Sequence, residues 1–275
     1  MNATSVASVF RLFARRPVVA CQFLAVALAG NAIADTELPS AQSLLDAHIE
    51  ATGGKESMND QLESTVTGRF LMPAAGMEGQ LTVYSRMPLE RTVNIELPGI
   101  GSMQSGYKDR SAWSMDPFMG PRLVTGAELE VQIESNEPGA LLRSDEFVES
   151  MRTVALAEFN GESCYKVEVK WKTGRETLDC YSVDNDYLIA TESTMESPMG
   201  TMETTTVFTD YKTFTSNGID MILPGTTLVT TMGQSQQVLI DSVELGAPDD
   251  DYFALPAAIT TLLEDEQTEK AKAAN

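Results

Sequence analysis

The chain has 275 residues, with 40 acidic against 19 basic side chains and a formal net charge of −21 at neutral pH. A surface of this charge repels nucleic acid and anionic membrane faces, so we expect no nucleic-acid partner. The single histidine, His48, excludes metal sites built on two histidines and argues against a nucleophilic triad. We therefore expect neither a metal nor a cofactor.

The first 34 residues have the pattern of a secretory signal peptide. They contain three arginines and no acid, then an apolar run over 17–29 and the small-residue sequence Ala32-Ile33-Ala34. The run is too short for a membrane span, so we expect cleavage after Ala34 and export to a bacterial periplasm. A lipoprotein site at Cys21 is the alternative, but the hydrophobic stretch follows this cysteine rather than preceding it.

Cys164 and Cys180 are the two cysteines that remain after cleavage. In an oxidising compartment, two cysteines this close in sequence favour a disulfide over a metal site or a nucleophile. A hairpin that turns near 172–174 would place them opposite each other, whereas a register slip of one residue would separate them.

The pattern along the chain predicts an antiparallel meander flanked by helices. Ser40 is a candidate N-cap for a helix over 41–51, a second short helix follows over 55–62, and a C-terminal helix spans 259–270. Runs of alternating or β-branched residues separated by turn residues indicate the strands. The predicted strands are 65–72, 77–85, 91–97, 101–107, 111–115, 151–157, 163–171, 176–183, 187–196, 202–213, 221–232 and 236–245.

Between 125 and 150 the β pattern stops, and two short helices broken at Pro138 are predicted. We expect this insertion to cover the concave side of the sheet as a lid. Its predicted underside consists of Leu129, Ile133, Leu141 and Leu142. The fold class is therefore mainly β (α+β): a strongly curved antiparallel half-barrel of about 11–13 strands with an N-terminal helix, a helical lid and a C-terminal helix. Residues 35–256 would form the half-barrel domain, and 257–275 a helix with an acidic tail.

The stretch 107–124 gathers bulky and adaptable apolar side chains just before the helical insertion. Methionine changes shape easily and suits a pocket for a flexible apolar guest, although ordinary core packing would also explain these residues. We predict that five of them form the mouth of a cavity: Trp113, Met115, Phe118, Met119 and Leu123.

No catalytic motif is present in the sequence. It lacks a Gly-x-Ser-x-Gly elbow, a phosphate-binding glycine loop and a Cys-x-x-Cys pair. The acidic groups 184–186 and 249–251 lie among turn residues, which favours solvated turns over a calcium site or a carboxylate dyad. We expect a protein that is not an enzyme, and a hydrolase would need carboxylates that converge from distant strands.

Several local motifs resemble the periplasmic lipoprotein carriers of the LolA/LolB type and the broader group of outer membrane lipoprotein-sorting-like proteins. They are Ala51-Thr-Gly-Gly-Lys55, Gly79-Gln-Leu-Thr-Val-Tyr-Ser-Arg-Met-Pro88, Trp113 with Pro117-Phe118, Ser197-Pro-Met-Gly200, Phe208-Thr-Asp-Tyr211, Ile240-Asp-Ser-Val243 and Phe253-Ala-Leu-Pro256. The resemblance implies a monomeric half-barrel that binds acyl chains of lipids or lipoproteins. It also implies an inner membrane transporter complex or an outer membrane receptor as partner. The alternative is an envelope sensor or interaction module that uses the same fold.

In the carriers, an arginine directly before a proline on an early strand holds the lid closed. Here Met87 occupies the position before Pro88, and Arg86 lies one residue earlier, on the other face of a regular strand. The candidates for a lid latch are therefore Arg86, Arg69 and Arg91.

Overall fold

One antiparallel sheet of thirteen strands forms the framework of the protein. The computed structural model describes residues 37–135, 144–197 and 200–273. The strands are β1 Glu63–Met72, β2 Met77–Arg86, β3 Glu90–Leu97, β4 Gly101–Lys108, β5 Ser111–Asp116, β6 Gly120–Val124, β7 Val148–Phe159, β8 Glu162–Trp171, β9 Glu176–Ser182, β10 Leu188–Ser197, β11 Gly200–Ser216, β12 Ile219–Thr231 and β13 Gln234–Leu245.

The strand order is β6-β5-β4-β3-β2-β1-β13-β12-β11-β10-β9-β8-β7, so the sheet is one meander whose first and last strands meet in its middle. β1 pairs with both β2 and β13, while β6 and β7 form the two edges of the described sheet. The sheet is therefore open rather than closed into a barrel, and the predicted half-barrel class is confirmed.

The described residues form five α-helices and two 3₁₀ turns. Ser40 caps the first helix as predicted, because its hydroxyl accepts a hydrogen bond from the Ser43 amide at 3.1 Å. The helices are α1 Ala41–Ala51, α2 Gly54–Asp60, α3 Gly126–Ser135, α4 Ser144–Phe147 and α5 Ala257–Ala273, and the 3₁₀ turns are Pro73–Ala75 and Asp250–Phe253.

Strand register assigns each side chain to one of two faces of the sheet. We call the face that α1 and α3 cover the inner face, and the opposite one the outer face. On the inner face, Ala41 and Leu44 of α1 pack against a buried cluster that includes Val167 and Val169 of β8. Helix α3 packs on the same face nearer the other edge of the sheet, where its Ile133 is buried against β4 to β6.

The Cys164–Cys180 disulfide is confirmed, with the two Cα atoms 5.5 Å apart. Its register differs from the expectation, because Cys164 pairs with Ser182 and Cys180 pairs with Lys166. The hairpin is centred on 173, within the predicted 172–174, and with this centre the two cysteines are diagonal neighbours on one face instead of direct partners.

The structure adds one strand to the predicted elements, just before the helical insertion. All twelve predicted strands are present, but the structure adds β6 in the stretch assigned to the cavity mouth. Pro138, the predicted break, lies outside the described residues, as do Leu141 and Leu142. The described parts of the insertion are α3 and the short α4.

Candidate functional site

The inner face of β1 to β4 carries a continuous apolar surface. Paired positions such as Val66 with Val83, and Val83 with Val93, place aliphatic side chains side by side across the strands. The buried members of this cluster are Phe70, Leu81, Val83, Ile95 and Leu97, and the partly buried ones are Val66, Met72, Val93, Met103 and Val238.

Helix α3 covers the adjoining inner face of β4 to β6. Its Ile133 is buried together with Tyr107, Ala112 and Val124, and Leu129 packs against the same cluster. Two of the predicted lid-underside residues, Leu129 and Ile133, therefore do face the sheet from the helix that was expected to cover it.

A polar contact fastens the C-terminal end of α3 to the β8–β9 turn. The buried carboxylate of Glu134 accepts hydrogen bonds from Thr173 Oγ1 at 2.6 Å and from Arg175 Nε at 2.9 Å, and it also accepts one from Arg175 Nη2. The Arg175 guanidinium lies 4.5 Å from the centre of the Trp171 ring, which adds a cation–π contact. We call Glu134, Thr173 and Arg175 the lid lock.

Sequence reasoning missed the lid lock. Glu134 is separated from Arg175 by 41 residues, and it lies in a helix with two other glutamates. A local signal exists only for the turn, where Gly174 adopts a positive φ of 86°. That signal predicts a hairpin but does not identify what the neighbouring arginine binds.

Of the three arginines predicted as latches, Arg91 is the one that lies beneath α3. It borders a cavity of about 150 Å³ whose lining also includes Val93, Ser105, Tyr107 and Gln132. Its Nε atom is shielded from solvent and has no hydrogen-bond partner, and burial lowers the pKa of the guanidinium.

Arg86 binds a different segment. It donates to the carbonyl of Pro248 and to Asp250, both at 2.8 Å, and its guanidinium lies 4.8 Å from the Phe253 ring centre. It therefore holds the segment before α5 against the outer face, where Tyr84 and Tyr252 also stack at 3.9 Å.

Arg69 is partly exposed, and it forms ionic contacts with Glu78 at 3.5 Å and with Asp241 at 3.8 Å. Both partners belong to strands that flank β1, and neither belongs to the lid. Like Arg86, Arg69 is placed to stabilise the sheet and its outer face rather than to hold α3.

The predicted mouth residues do not lie together with the predicted lid underside. Trp113 is only 4% exposed and points to the outer face, where it covers Gly106, and a Cβ atom at Gly106 would lie 2.5 Å from the indole ring. Leu123 pairs with Trp113 on the same face, and Met115 is two residues further along β5.

The remaining two mouth residues, Phe118 and Met119, are 66% and 72% exposed in the turn between β5 and β6. The reason for the separation is the hairpin that β5 and β6 form. Its period of two sends Ala112 and Val124 towards α3, while their neighbours Trp113 and Leu123 go to the outer face. A ligand-binding role for the five residues stays a prediction.

A second cavity, of about 440 Å³, lies beside the disulfide, and none of its lining residues belongs to α3. Tyr187 and Tyr211 stack along it with ring centres 4.2 Å apart. Tyr211 donates a hydrogen bond to the carbonyl of Leu188 at 2.7 Å, and burial raises the pKa of its phenol. This cavity is separate from the site that α3 covers.

Solved structures share this architecture. A crystal structure of a LolA superfamily protein from Nitrosomonas europaea matches with a TM-score of 0.51 and 16% sequence identity, covering 79% of this chain and 99% of that chain. The fold is LolA-like. A DUF1329 family protein from Desulfovibrio piger matches with a TM-score of 0.52 and 11% identity, covering 78% of this chain and 97% of that one.

At these identities the LolA-like likeness establishes the fold and confirms the resemblance at that level. No protein-family model matches the chain, and no curated protein matches it. Among the described residues, no helix is both long and apolar enough to cross a membrane.

Proposed function

We propose that this protein binds the acyl chains of lipids or lipoproteins on the inner face of its sheet and carries them across the periplasm. The observation that supports this most directly is the cover over that face. Helix α3 lies beside an apolar surface, and a charged contact at its C-terminal end fastens it to a distant turn. A cover attached in this way can open without disrupting the apolar core of the sheet.

Opening of α3 would expose the side chains of Tyr107, Ala112 and Val124 next to the aliphatic surface of β1 to β4. Acyl chains would replace Leu129 and Ile133 as the apolar partners of these three side chains and would extend onto the aliphatic surface, so transfer requires no covalent step. The predicted signal peptide supports a periplasmic location. The LolA-like fold supports an inner membrane transporter complex or an outer membrane receptor as the partner that loads or unloads the carrier.

The first test is native mass spectrometry of the protein purified from its own periplasm, combined with titration of a fluorescent acyl probe. We expect co-purified lipid, or saturable probe binding after lipid removal. If no lipid co-purified and no probe bound, the carrier function would be rejected. Such a result, with a changed envelope-stress response on depletion, would favour the sensor.

The second test asks whether α3 controls entry. Glu134→Gln removes the negative charge of the lid lock. We expect the probe to associate faster with this variant than with the unaltered protein. Glu128→Gln is the matched control, because Glu128 lies on the same helix and its ion pair to Arg122 of β6 is exposed. Equal association rates for the two variants would contradict control of entry by the lid lock.

A further inference from the structure

Arg91 differs from the other arginines whose contacts are described in this chain. Arg86, Arg122, Arg152 and Arg175 each form an ion pair with a carboxylate. Arg91 forms none with any described residue, although the protein has 40 acidic side chains. Its Nε also lacks a hydrogen-bond partner.

This position is unfavourable for a cation in the empty protein. A guanidinium remains protonated in proteins, so burial cannot be relieved by loss of the proton. Taking a charge out of water without a partner is costly. The surroundings on the sheet offer no carboxylate, because the cross-strand partners of Arg91 are Ser85 and Tyr107.

The space beside Arg91 can admit an anionic group. The cavity of about 150 Å³ lies between β3, β4 and α3, and Ser105 contributes a hydroxyl to its lining. This volume exceeds the share of a single water molecule, which is about 30 Å³. A carboxylate or a phosphate could therefore reach the guanidinium, which matches both anions in a bidentate geometry.

An apolar track leads away from the same residue. Strand β3 continues on the inner face with Val93, Ile95 and Leu97, and β2 places Val83 and Leu81 beside them. The track from Arg91 to Leu97 is about 20 Å long at the usual rise of a strand. A cation at one end of a long aliphatic surface is complementary to an amphiphile with an anionic head.

We propose that Arg91 binds the carboxylate or phosphate of an amphiphile whose acyl chain lies along the inner face of β3 and β2. This inference rests on the proposed carrier function and specifies the ligand class of the same site. It assigns to Arg91 the recognition of the ligand head rather than the fastening of the lid, which Glu134 and Arg175 perform.

The test compares ligands that share one chain and differ in the head: dodecanoate, dodecyl phosphate and dodecanol, with inorganic phosphate as the head alone. Binding is measured by calorimetry below the aggregation concentration of each amphiphile. We expect the unaltered protein to bind the two anionic amphiphiles about 10- to 100-fold more tightly than dodecanol, the range of a charge-assisted hydrogen bond.

Arg91→Met keeps an unbranched side chain of about the length of the aliphatic part of arginine and removes the charge. We expect this variant to bind dodecanoate and dodecyl phosphate only as tightly as dodecanol, with dodecanol binding unchanged. Arg91→Lys should retain part of the preference. Arg69→Met, on the outer face, is the matched control and should behave like the unaltered protein.

Thermal unfolding of Arg91→Met separates the ligand role from a structural one. Because the substitution removes a partly buried charge that has no carboxylate partner among the described residues, we expect its melting temperature to equal or exceed that of the unaltered protein. If the variant did not fold, the preference of the unaltered protein for dodecanoate over dodecanol would still decide the proposal.

The results distinguish the inference from the function on which it rests. Equal binding of dodecanoate and dodecanol, or full retention of the preference in Arg91→Met, would overturn the role of Arg91 and leave the carrier function standing. No binding of any amphiphile, including dodecanol, would reject the carrier function itself. Binding of inorganic phosphate without any preference for the anionic amphiphiles over dodecanol would also overturn the proposal, since Arg91 would then bind a free anion.

Discussion

Helices α1 and α3 cover the same face of the sheet in different ways. Four residues of α1 are buried, Ala41, Leu44, Leu45 and Ile49, and they are all apolar. In the described part of α3, the buried side chains are Ile133 and the charged Glu134. The first helix is thus attached by apolar packing, whereas the second combines one buried aliphatic side chain with an ion pair.

The difference indicates which helix can move. Separating α1 would expose its apolar side chains together with the cluster of β8 and β9, at a cost that grows with the area exposed. His48 and its 3.1 Å contact to the Asp186 carbonyl add a further attachment of α1 to the β9–β10 turn. Separating α3 exposes less apolar surface, and water can solvate the released charges. We therefore regard α1 as a fixed wall and α3 as a lid.

Matched truncations of the two helices should have the largest effect. We expect Leu44→Ala in α1 to lower the free energy of global unfolding by about 2–5 kcal/mol, because it leaves a cavity in a packed core. Ile133→Ala in α3 should lower it by less than about 1 kcal/mol, because a segment that opens locally contributes little to the global transition. Denaturant titration monitored by tryptophan fluorescence measures both, and equal losses would refute the distinction between wall and lid.

A second comparison uses the buried acids on the inner face. Glu134 of α3 is paired with an arginine, whereas Asp179 on β9 accepts a hydrogen bond from the Thr191 hydroxyl at 2.9 Å. Burial raises the pKa of Asp179 from 3.8 to about 6. The folded protein therefore binds more protons than the unfolded chain between these values, and the free energy of unfolding should fall as the pH rises from about 4 to about 6.

Asp179→Asn should remove that fall and increase the free energy of unfolding at pH 7 by on the order of 1–3 kcal/mol. Denaturant midpoints measured from pH 4 to pH 8 test this, and the difference between the two proteins at each pH isolates Asp179 from His48 and other titrating groups. Asp184→Asn, an exposed change in the following turn, is the control. A parallel pH profile for the unaltered protein and Asp179→Asn would contradict the assignment.

The sheet was predictable because its signals are local. Alternating strands and turn residues such as Asn217-Gly218 identify the hairpins, and the spacing of Cys164 and Cys180 predicts the disulfide. Strand β6 was missed because it is five residues long and begins with glycine and proline, which are uncommon in strand interiors.

The site was harder to predict because the sequence does not show which face of the sheet α3 covers. Alternation along β5 sends Ala112 towards α3 and Trp113 away from it, and the pairing of β6 with β5 places Leu123 beside Trp113, so three of the five predicted mouth residues lie on the outer face. Long-range contacts have no local signal either. The pairing of Glu134 with Arg175, and the lack of a partner for Arg91, follow from the packing of segments that are distant in the chain.

The smallest expected change in global stability comes from the lid lock, where Glu134→Gln is compared with Glu128→Gln. Loss of one partner of a buried ion pair weakens that contact by about 3–5 kcal/mol, whereas an exposed pair contributes about 0–1 kcal/mol. We expect amide hydrogen exchange across 126–135 to accelerate about three- to fivefold in Glu134→Gln and to change little in Glu128→Gln.

The free energy of global unfolding of Glu134→Gln should fall by less than about 1 kcal/mol, because a lid that is already open in most molecules no longer adds to the stability of the sheet. Exchange within 41–51 serves as the internal reference, since α1 does not contact the lid lock through any described side-chain hydrogen bond. Faster exchange in α1 and α3 together would mean that the two helices open as one unit. In that case α3 would be part of the wall, and the entry route for a ligand would have to be sought elsewhere on the sheet.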